Sequence, residues 1–391
     1  MILTAPAAHA AAPRSYAALG DSYTAAPLIA PPSADSAAGC FRNHANYPSL
    51  VAQALQIGEL RDASCSGATT AYMTAAQLDG QGPQFASLSS DVELVTIGIG
   101  FNDARLSRVI TECPIASLLV VGPSCRSRYA AGGQDAILAD IHATGPKVAA
   151  MLRSVHDRAP QARVLLVGYP QMVPNDGRTC FPTVPLSADD NRYFDSLIQA
   201  LNATLRGEAA SGDAEFVDMY ARSAGHDMCT SAGTKWWEGA IISSAAFPWH
   251  PNGKGAQAMA GAILEELNQP RPAPVLSELA AVRRRIKQGR KARFTFKLDR
   301  PARATFTVSR GESGRRSGGR CQPARASNRT RSKCTRWTRP VRTLTRNARK
   351  GENLLALGAQ RMNSPALYRL TATARAGDTT SAVTQAYVRV G

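Results

Sequence analysis

A serine and a histidine far apart in the chain could together form an activated nucleophile. The apolar run Tyr16–Leu19 is ended abruptly by Gly20-Asp21-Ser22. A serine at the end of a buried strand can expose its hydroxyl at the edge of a sheet, where open α/β sheets place their reacting groups. His250 precedes the last predicted helix and could act as the general base. Gly-Asp-Ser alone is also an ordinary turn sequence, so the neighbouring elements must decide.

Two further strand ends carry residues that could stabilise an oxyanion. Gly67 follows the second predicted strand, and Asn102 follows the third. The backbone N–H groups of Ser22 and Gly67 and the side-chain amide of Asn102 would give a tetrahedral intermediate three donors. A glycine at position 67 fits, because a missing side chain lets the backbone approach a substrate closely. The chemistry that this set of residues indicates is acyl transfer through a serine.

These residues need a parallel sheet whose strand ends meet at one edge. Short apolar runs alternate with long helical patterns up to about residue 268, which favours βαβ units with helices on both faces of the sheet. A sheet of about five strands favours a flavodoxin-like three-layer sandwich over a barrel. The predicted strands are 16–19, 59–64, 91–97, 163–168 and 214–218, and the main helices are 47–55, 135–158, 188–206 and 251–267.

The chain lacks the motifs of nucleotide-dependent and zinc enzymes. No G-x-G-x-x-G follows the first strand, no Walker sequence occurs, and no Cys/His spacing favours zinc. We therefore expect neither a metal nor an organic cofactor.

Charge divides the 391 residues into two parts. Residues 1–270 have a net charge of −7 and residues 271–391 a net charge of +24. We predict a tail over 1–13 that is a remnant of an export signal or disordered, since Ala8-His9-Ala10 resembles a cleavage site. An α/β domain over 14–268 and a Pro-rich linker over 269–276 follow. The last part, 277–391, has alternating runs typical of a small antiparallel, Ig-like β-sandwich.

Eight cysteines indicate an oxidising compartment. Six precede the charge boundary and two follow it, which suits disulfides that close within each domain. Sequential pairing is the simplest connectivity among several that the sequence allows: Cys40–Cys65, Cys113–Cys125, Cys180–Cys229 and Cys321–Cys334. We interpret the cysteines as structural and the protein as secreted.

The four sites together resemble a known family. Gly20-Asp21-Ser22, the Gly67 turn, Gly100-Phe101-Asn102-Asp103 and His250-Pro251 are similar, in content and order, to the conserved blocks of the SGNH or GDSL hydrolases. The first six cysteines are similar in pattern to those of the family's secreted actinobacterial lipases and esterases. The resemblance covers about 14–268 and implies Ser22 as nucleophile, His250 as base, and Ser22, Gly67 and Asn102 as oxyanion donors.

The sequence departs from the family pattern beside the histidine. Many members have an aspartate three residues before it, where this chain has Phe247. We predict that the main-chain carbonyl of Phe247 orients the imidazole in its place. Asp103 is a less favoured alternative, because an Asn-Asp pair more often makes local turn or cap hydrogen bonds.

The resulting hypothesis is a secreted, monomeric serine hydrolase of lipid or other small carboxylic esters. A carbohydrate O-deacetylase of the same fold is the nearest alternative. A catalytically silent protein that binds surfaces through the basic domain is another. For that domain we expect contact with anionic cell-surface or phospholipid groups and no nucleic acid, since no nucleic-acid-binding motif occurs.

Overall fold

The computed structural model divides the chain into two compact units, residues 1–270 and 271–391. It describes residues 13–118, 125–269, 273–338, 342–358, 362, 364–376 and 379–391. The predicted export remnant therefore lies almost wholly outside the described residues, as do positions 270–272 of the predicted linker. Each unit has its own hydrophobic core, and we describe each by itself.

The first unit is built on a parallel five-stranded sheet, as the sequence predicted. Its strand order is β2-β1-β3-β4-β5, the order of flavodoxin-like folds. Strands β1 and β3 are entirely buried, which explains why they read as nearly continuous apolar runs. The strands are β1 (Ser15–Gly20), β2 (Glu59–Asp62), β3 (Leu94–Gly98), β4 (Arg163–Val167) and β5 (Glu215–Val217).

Helices cover this sheet, and most begin at a residue whose side chain caps the first turn. Asn46, Asp135, Ser187 and Asn252 each accept a hydrogen bond from a backbone N–H of the helix that follows. The helices are α1 (Ser22–Ala25), α2 (Tyr47–Ala54), α3 (Leu106–Leu118), α4 (Cys125–Tyr129), α5 (Ala136–Arg158), α6 (Ala188–Ser211), α7 (Met219–Arg222) and α8 (Gly253–Asn268).

The four long predicted helices are confirmed as α2, α5, α6 and α8, and α6 continues five residues beyond the predicted end. Helix α3 was missed. Its segment contains Pro114 within the sequence of the helix, and this residue concealed the helical pattern.

The four disulfides pair sequentially, as the simplest connectivity predicted. They join Cys40 to Cys65, Cys113 to Cys125, Cys180 to Cys229 and Cys321 to Cys334. The first three lie in the first unit and the fourth in the second, so no disulfide joins the two units. Among the described residues, no helix has the length and apolar character needed to span a membrane.

The second unit consists of an eight-stranded and a three-stranded sheet, and the pairing is antiparallel except for β16 with β7. Phe296 and Phe306 pack edge to face in its core. Alternate residues of the long strands enter this core, which produced the period-two sequence pattern. The strands are β6 (Leu276–Ala281), β7 (Arg285–Ile286), β8 (Ala292–Leu298), β9 (Ala302–Ser317), β10 (Arg320–Pro323), β11 (Lys333–Trp337), β12 (Arg342–Ala348), β13 (Gly351–Leu357), β14 (Ala366–Ala376), β15 (Thr379–Thr380) and β16 (Thr384–Val390).

Candidate active site

Ser22 stands at a sharp turn that leads from β1 into α1. Gly20 has a φ of +152°, and a Cβ there would lie 2.5 Å from the carbonyl oxygen of Gly98, so the turn requires glycine. Asp21 then donates its backbone N–H to that same oxygen at 2.8 Å. Its side chain accepts from the backbone N–H of Tyr23 at 2.9 Å and caps α1. Ser22 is thereby the first helical residue, at the carboxyl edge of the sheet.

His250 reaches Ser22 across 228 residues of sequence. Its Nε2 lies 2.7 Å from Oγ of Ser22, and its Nδ1 lies 2.7 Å from the carbonyl oxygen of Pro248. Because a carbonyl can only accept, Nδ1 carries the proton, and Nε2 is left to accept from the serine hydroxyl. The structure thus joins a hydroxyl, an imidazole and a main-chain acceptor in a row.

The prediction that the carbonyl of Phe247 orients this histidine is wrong. Residues 247–250 form a turn in which the backbone N–H of His250 donates to the Phe247 carbonyl at 3.2 Å. The Phe247 carbonyl therefore accepts the hydrogen bond that closes the turn, and the carbonyl of Pro248 faces the imidazole ring instead. Trp249 holds the turn at a φ of +67°, and its carbonyl accepts from the Tyr23 hydroxyl at 2.7 Å.

Burial lowers the pKa of His250 to about 4, although the hydrogen bond to the Pro248 carbonyl acts in the opposite direction. The rings of Tyr23 and Phe247 lie 5.4 and 5.3 Å from the imidazole ring, centroid to centroid, and form part of this environment. A histidine with such a pKa is neutral at pH 7 and can accept a proton.

Gly67 and Asn102 are brought to the same edge by hydrogen bonds between the loops that carry them. Asn102 donates its side-chain amide to the Ala68 carbonyl at 3.0 Å, directly after Gly67. The backbone N–H of Cys65 donates to the Gly20 carbonyl at 3.0 Å, which joins the Gly67 loop to the end of β1. Gly67 has a φ of +79°, and a Cβ there would meet only ordinary contacts, so conformation and not space calls for glycine. In the described chain, the N–H groups of Ser22 and Gly67 have no acceptor.

Asp103 makes the local bonds that were favoured for it and does not contact the histidine ring. Its carboxylate accepts from the backbone N–H of Thr70 at 2.9 Å and from the Thr70 hydroxyl at 2.6 Å. It therefore fixes the loop of Gly67 to the loop of Asn102.

Two buried tyrosine contacts connect the strand ends and were not predicted. The Tyr169 hydroxyl donates to Asp21 at 2.5 Å and accepts from the backbone N–H of Phe101 at 3.1 Å. Burial raises the pKa of Asp21 to about 7, while the bonds from Tyr169 and Tyr23 oppose that rise. The side chain of Asn202 makes reciprocal bonds of 2.8 Å with the backbone of Tyr169. A tyrosine after a strand is too common in a sequence to reveal this role.

A buried ion pair supports the backbone on either side of His250. Lys235 and Glu238 lie 3.2 Å apart, and their side chains are 5% and 0% exposed. Glu238 also accepts from the amide of Asn252, the cap of α8, at 2.9 Å, and its backbone N–H donates to the His250 carbonyl at 3.0 Å. Burial would raise the pKa of Glu238, but these side-chain bonds and the lysine charge hold it below its usual value. No sequence signal distinguishes this pair from exposed loop charges.

Large apolar side chains are exposed on loops next to His250. The backbone N–H of Phe247 donates to the Pro27 carbonyl at 3.0 Å, and that of Ala240 donates to the Thr183 carbonyl at 2.8 Å, so three loops meet there. Exposed apolar groups in one place mark binding surfaces. We call this set the apolar rim; its members are Leu28, Phe181, Ile241, Ile242 and Phe247, which are 45–67% exposed.

Comparisons with known proteins identify the family of the first unit. The model of the GDSL-like lipase/acylhydrolase family matches residues 18–258. Lipase 2 of Streptomyces coelicolor is 36% identical over 274 residues, which cover 68% of this chain and 91% of that protein. Lipase 1 of the same organism is 32% identical over 266 residues, 68% of this chain and 90% of that protein.

Solved structures show the same fold. The extracellular lipase of Streptomyces rimosus superimposes with a TM-score of 0.50 at 26% identity, over 65% of this chain and 99% of that one. The phospholipase A1 of Streptomyces albidoflavus superimposes with a TM-score of 0.52 at 24% identity, over 64% of this chain and 98% of that one. In the described chain, no group of three or more His, Cys, Asp or Glu side chains could hold a metal ion.

Proposed function

Because the chain belongs to the GDSL-like lipase/acylhydrolase family and is a carboxylic ester hydrolase, we propose that Ser22 and His250 carry out its reaction through an acyl-enzyme. The observation that carries this proposal is the pair of 2.7 Å bonds that joins Ser22, His250 and the Pro248 carbonyl. Nε2 of His250 takes the proton as Oγ of Ser22 attacks the ester carbonyl carbon. The negative charge develops on the carbonyl oxygen.

The remaining steps use the same groups. The N–H groups of Ser22 and Gly67 and the amide of Asn102 donate to the oxyanion. The imidazolium then returns its proton to the departing alkoxide, and the C–O bond of the ester breaks. Water then attacks the acyl carbon while it loses a proton to His250. The bond from this carbon to Oγ of Ser22 breaks, His250 returns the proton to Oγ, and the acid leaves. The Pro248 carbonyl keeps the ring in one tautomer throughout but supplies no full negative charge.

We propose lipid esters as the substrates, and the apolar rim supports this choice. An acyl chain would cover the exposed side chains beside His250, at a gain of about 25 cal/mol per Å² of apolar surface buried. A sugar ester would leave them in water. The four disulfides support secretion, and we propose that the protein acts outside the cell as a monomer.

Substitution of the rim tests the choice of lipid esters. In Ile241→Ser/Ile242→Ser we expect kcat/KM for a p-nitrophenyl decanoate to fall about 10-fold and that for the acetate to change less than about 2-fold, because only the longer chain reaches the rim. Val383→Ser, at an exposed valine of the second unit, is the matched control. Equal losses for both esters, or faster release of acetate from an acetylated sugar than of decanoate by wild type, would contradict lipid esters as substrates.

The burial of His250, with no carboxylate of the described chain bonded to its ring, predicts an unusually acidic pH limit. The base must be neutral, so activity is lost as the pH falls through its pKa of about 4, and kcat/KM should stay near its plateau down to about pH 5. Phe247→Asp places a carboxylate beside the ring and favours the imidazolium, so this limit should move up by about one pH unit. Phe247→Asn is the neutral control. If the Asp and Asn variants share one acid limit, the carboxylate does not act on His250.

A further inference from the structure

The outward face of the eight-stranded sheet in the second unit has an unusual charge distribution. On β9, residues 304, 306 and 308 enter the core, so the odd-numbered residues project outward. The pairing register carries this face across the sheet, since Thr307 stands opposite Thr371 and Thr371 opposite Gln385. The face therefore continues from β7 through β16 and β14 to β9, and from β9 to β10 and β11, which both pair with it.

Among the residues that the structure describes, this face carries cations and no carboxylates. No Asp or Glu in the described part of the second unit projects from it, since Glu312 lies on the other face of β9, where it pairs with Arg336. The other acidic residues that the structure describes in this unit, Glu278, Asp299 and Glu352, belong to the three-stranded sheet or the turns beside it. We call it the basic face; its cations include Arg285, Arg303, Arg315, Arg320, Lys333, Arg369 and Arg389.

Several of these cations stand directly opposite one another. Lys333 pairs in register with Arg315, and Arg389 with Arg285. Like charges directly opposite on neighbouring strands destabilise a sheet. The described residues offer no carboxylate within this face to offset the repulsion, so an anion from outside the molecule would relieve it.

The β9–β10–β11 end of the face is held rigidly. The Cys321–Cys334 disulfide joins the two strands that flank β9 and crosses over Gly314. A Cβ at Gly314 would lie 2.6 Å from Sγ of Cys321, so only glycine leaves room for the bridge. Arg315, Arg320 and Lys333 project from the side opposite the disulfide. The disulfide thus fixes the strands that present three of the cations.

Aromatic side chains lie at the centre of the basic face. The guanidinium of Arg369 lies 4.6 Å from the ring centroid of Trp337. The ring centroids of Trp337 and Tyr387 are 5.7 Å apart. Tyr387 is 46% exposed. Tryptophan and tyrosine beside arginine are typical of surfaces that meet the headgroup layer of a membrane. The ring of Trp337 is covered by Arg369 and half-buried, which leaves less of it to stack on a sugar.

We infer that the basic face docks the protein on bilayers that contain anionic phospholipids. Arginine forks bind phosphate oxygens with matched geometry, and a bilayer offers phosphates as a continuous flat layer. Each cation near an anionic membrane contributes an electrostatic attraction to it. The attractions of several cations add up to strong binding. This inference does not depend on the identity of the nucleophile, because docking precedes and does not require ester cleavage.

Vesicle binding by the full-length chain tests the inference. The background is Ser22→Ala, so that lipid is not consumed, and the probes are phosphatidylcholine vesicles with and without phosphatidylglycerol. We expect binding only to the anionic vesicles, with weakening at high salt. Arg320→Gln/Lys333→Gln/Arg389→Gln should weaken it about 100-fold, about five-fold for each charge. Since these residues repel their neighbours, the melting temperature of this triple variant should equal or exceed that of the Ser22→Ala background.

A control variant that loses the same number of positive charges distinguishes an effect of the basic face from an effect of net charge. Arg290→Gln/Lys291→Gln/Arg293→Gln removes three exposed cations around the start of β8, in the other sheet, and should weaken binding less than about 3-fold. Equal weakening by both triple variants would overturn the basic face as the site. Failure to bind anionic vesicles, or tighter binding to polygalacturonate than to them, would overturn the lipid surface. If vesicle binding is as expected but Ser22→Ala hydrolyses esters as fast as wild type, the result counts against the proposed catalytic residues and not against the basic face.

Discussion

Replacement of Ser22 by alanine should lower kcat for a soluble ester by about 10⁴- to 10⁶-fold, because it removes the atom that forms the acyl-enzyme. His250→Ala should cost a similar factor, since the hydroxyl that lies 2.7 Å from its Nε2 would lose its base. The double variant should be no slower than either single one, because the two residues act as a unit. The measurement is p-nitrophenyl acetate hydrolysis with purified protein and a melting curve for each variant.

Ser66→Ala is the matched control for the nucleophile. Ser66 lies next to Gly67, and its hydroxyl donates to the Cys40 carbonyl at 2.9 Å, so it is near the site but bonded elsewhere. We expect it to retain activity within about 3-fold of wild type, because the hydroxyl that it loses bonds to the Cys40 carbonyl and not to a group of the candidate site. A Ser22→Ala protein that folds and keeps more than a tenth of the wild-type kcat would show that another group is the nucleophile.

The second large effect is expected at the oxyanion donors. Asn102→Ala should lower kcat by about 10²- to 10³-fold, because a donor aimed at developing charge acts mainly in the transition state. KM should change little for the same reason. Asn102→Asp keeps the side-chain shape but replaces the donor by an acceptor, so its loss should be at least as large. If Asn102→Ala raises KM and leaves kcat unaltered, Asn102 binds the substrate and does not stabilise the oxyanion.

The fold was predictable because its determinants are local and periodic. Helices α2, α5, α6 and α8 have amphipathic spacing and were all predicted to within about five residues at each end. Strands β1 and β3 are buried on both faces and therefore stand out as apolar runs. Helix α3 has comparable spacing but was missed, because Pro114 interrupts its sequence.

The candidate site was predictable for the residues whose types reveal chemistry. Ser22, Gly67, Asn102 and His250 follow strand ends or precede a helix, and in a parallel sheet such positions meet at one edge. The hydrogen bonds between Asn102 and Ala68 and between Ser22 and His250 agree with that expectation. The supporting residues Tyr169, Asn202, Lys235 and Glu238 were missed, because their roles depend on burial between segments that are distant in sequence.

By itself, the sequence determined that a serine and a histidine of this chain could meet, and that no aspartate stands three residues before the histidine. Only the tertiary structure decided how that histidine is held. The family pattern, which has an aspartate at position 247, suggested the Phe247 carbonyl. The backbone turns at Trp249, however, and the N–H of His250 donates to that oxygen. The Pro248 carbonyl is left to face Nδ1. The direction of a carbonyl depends on backbone torsion angles, which a count of residues does not contain.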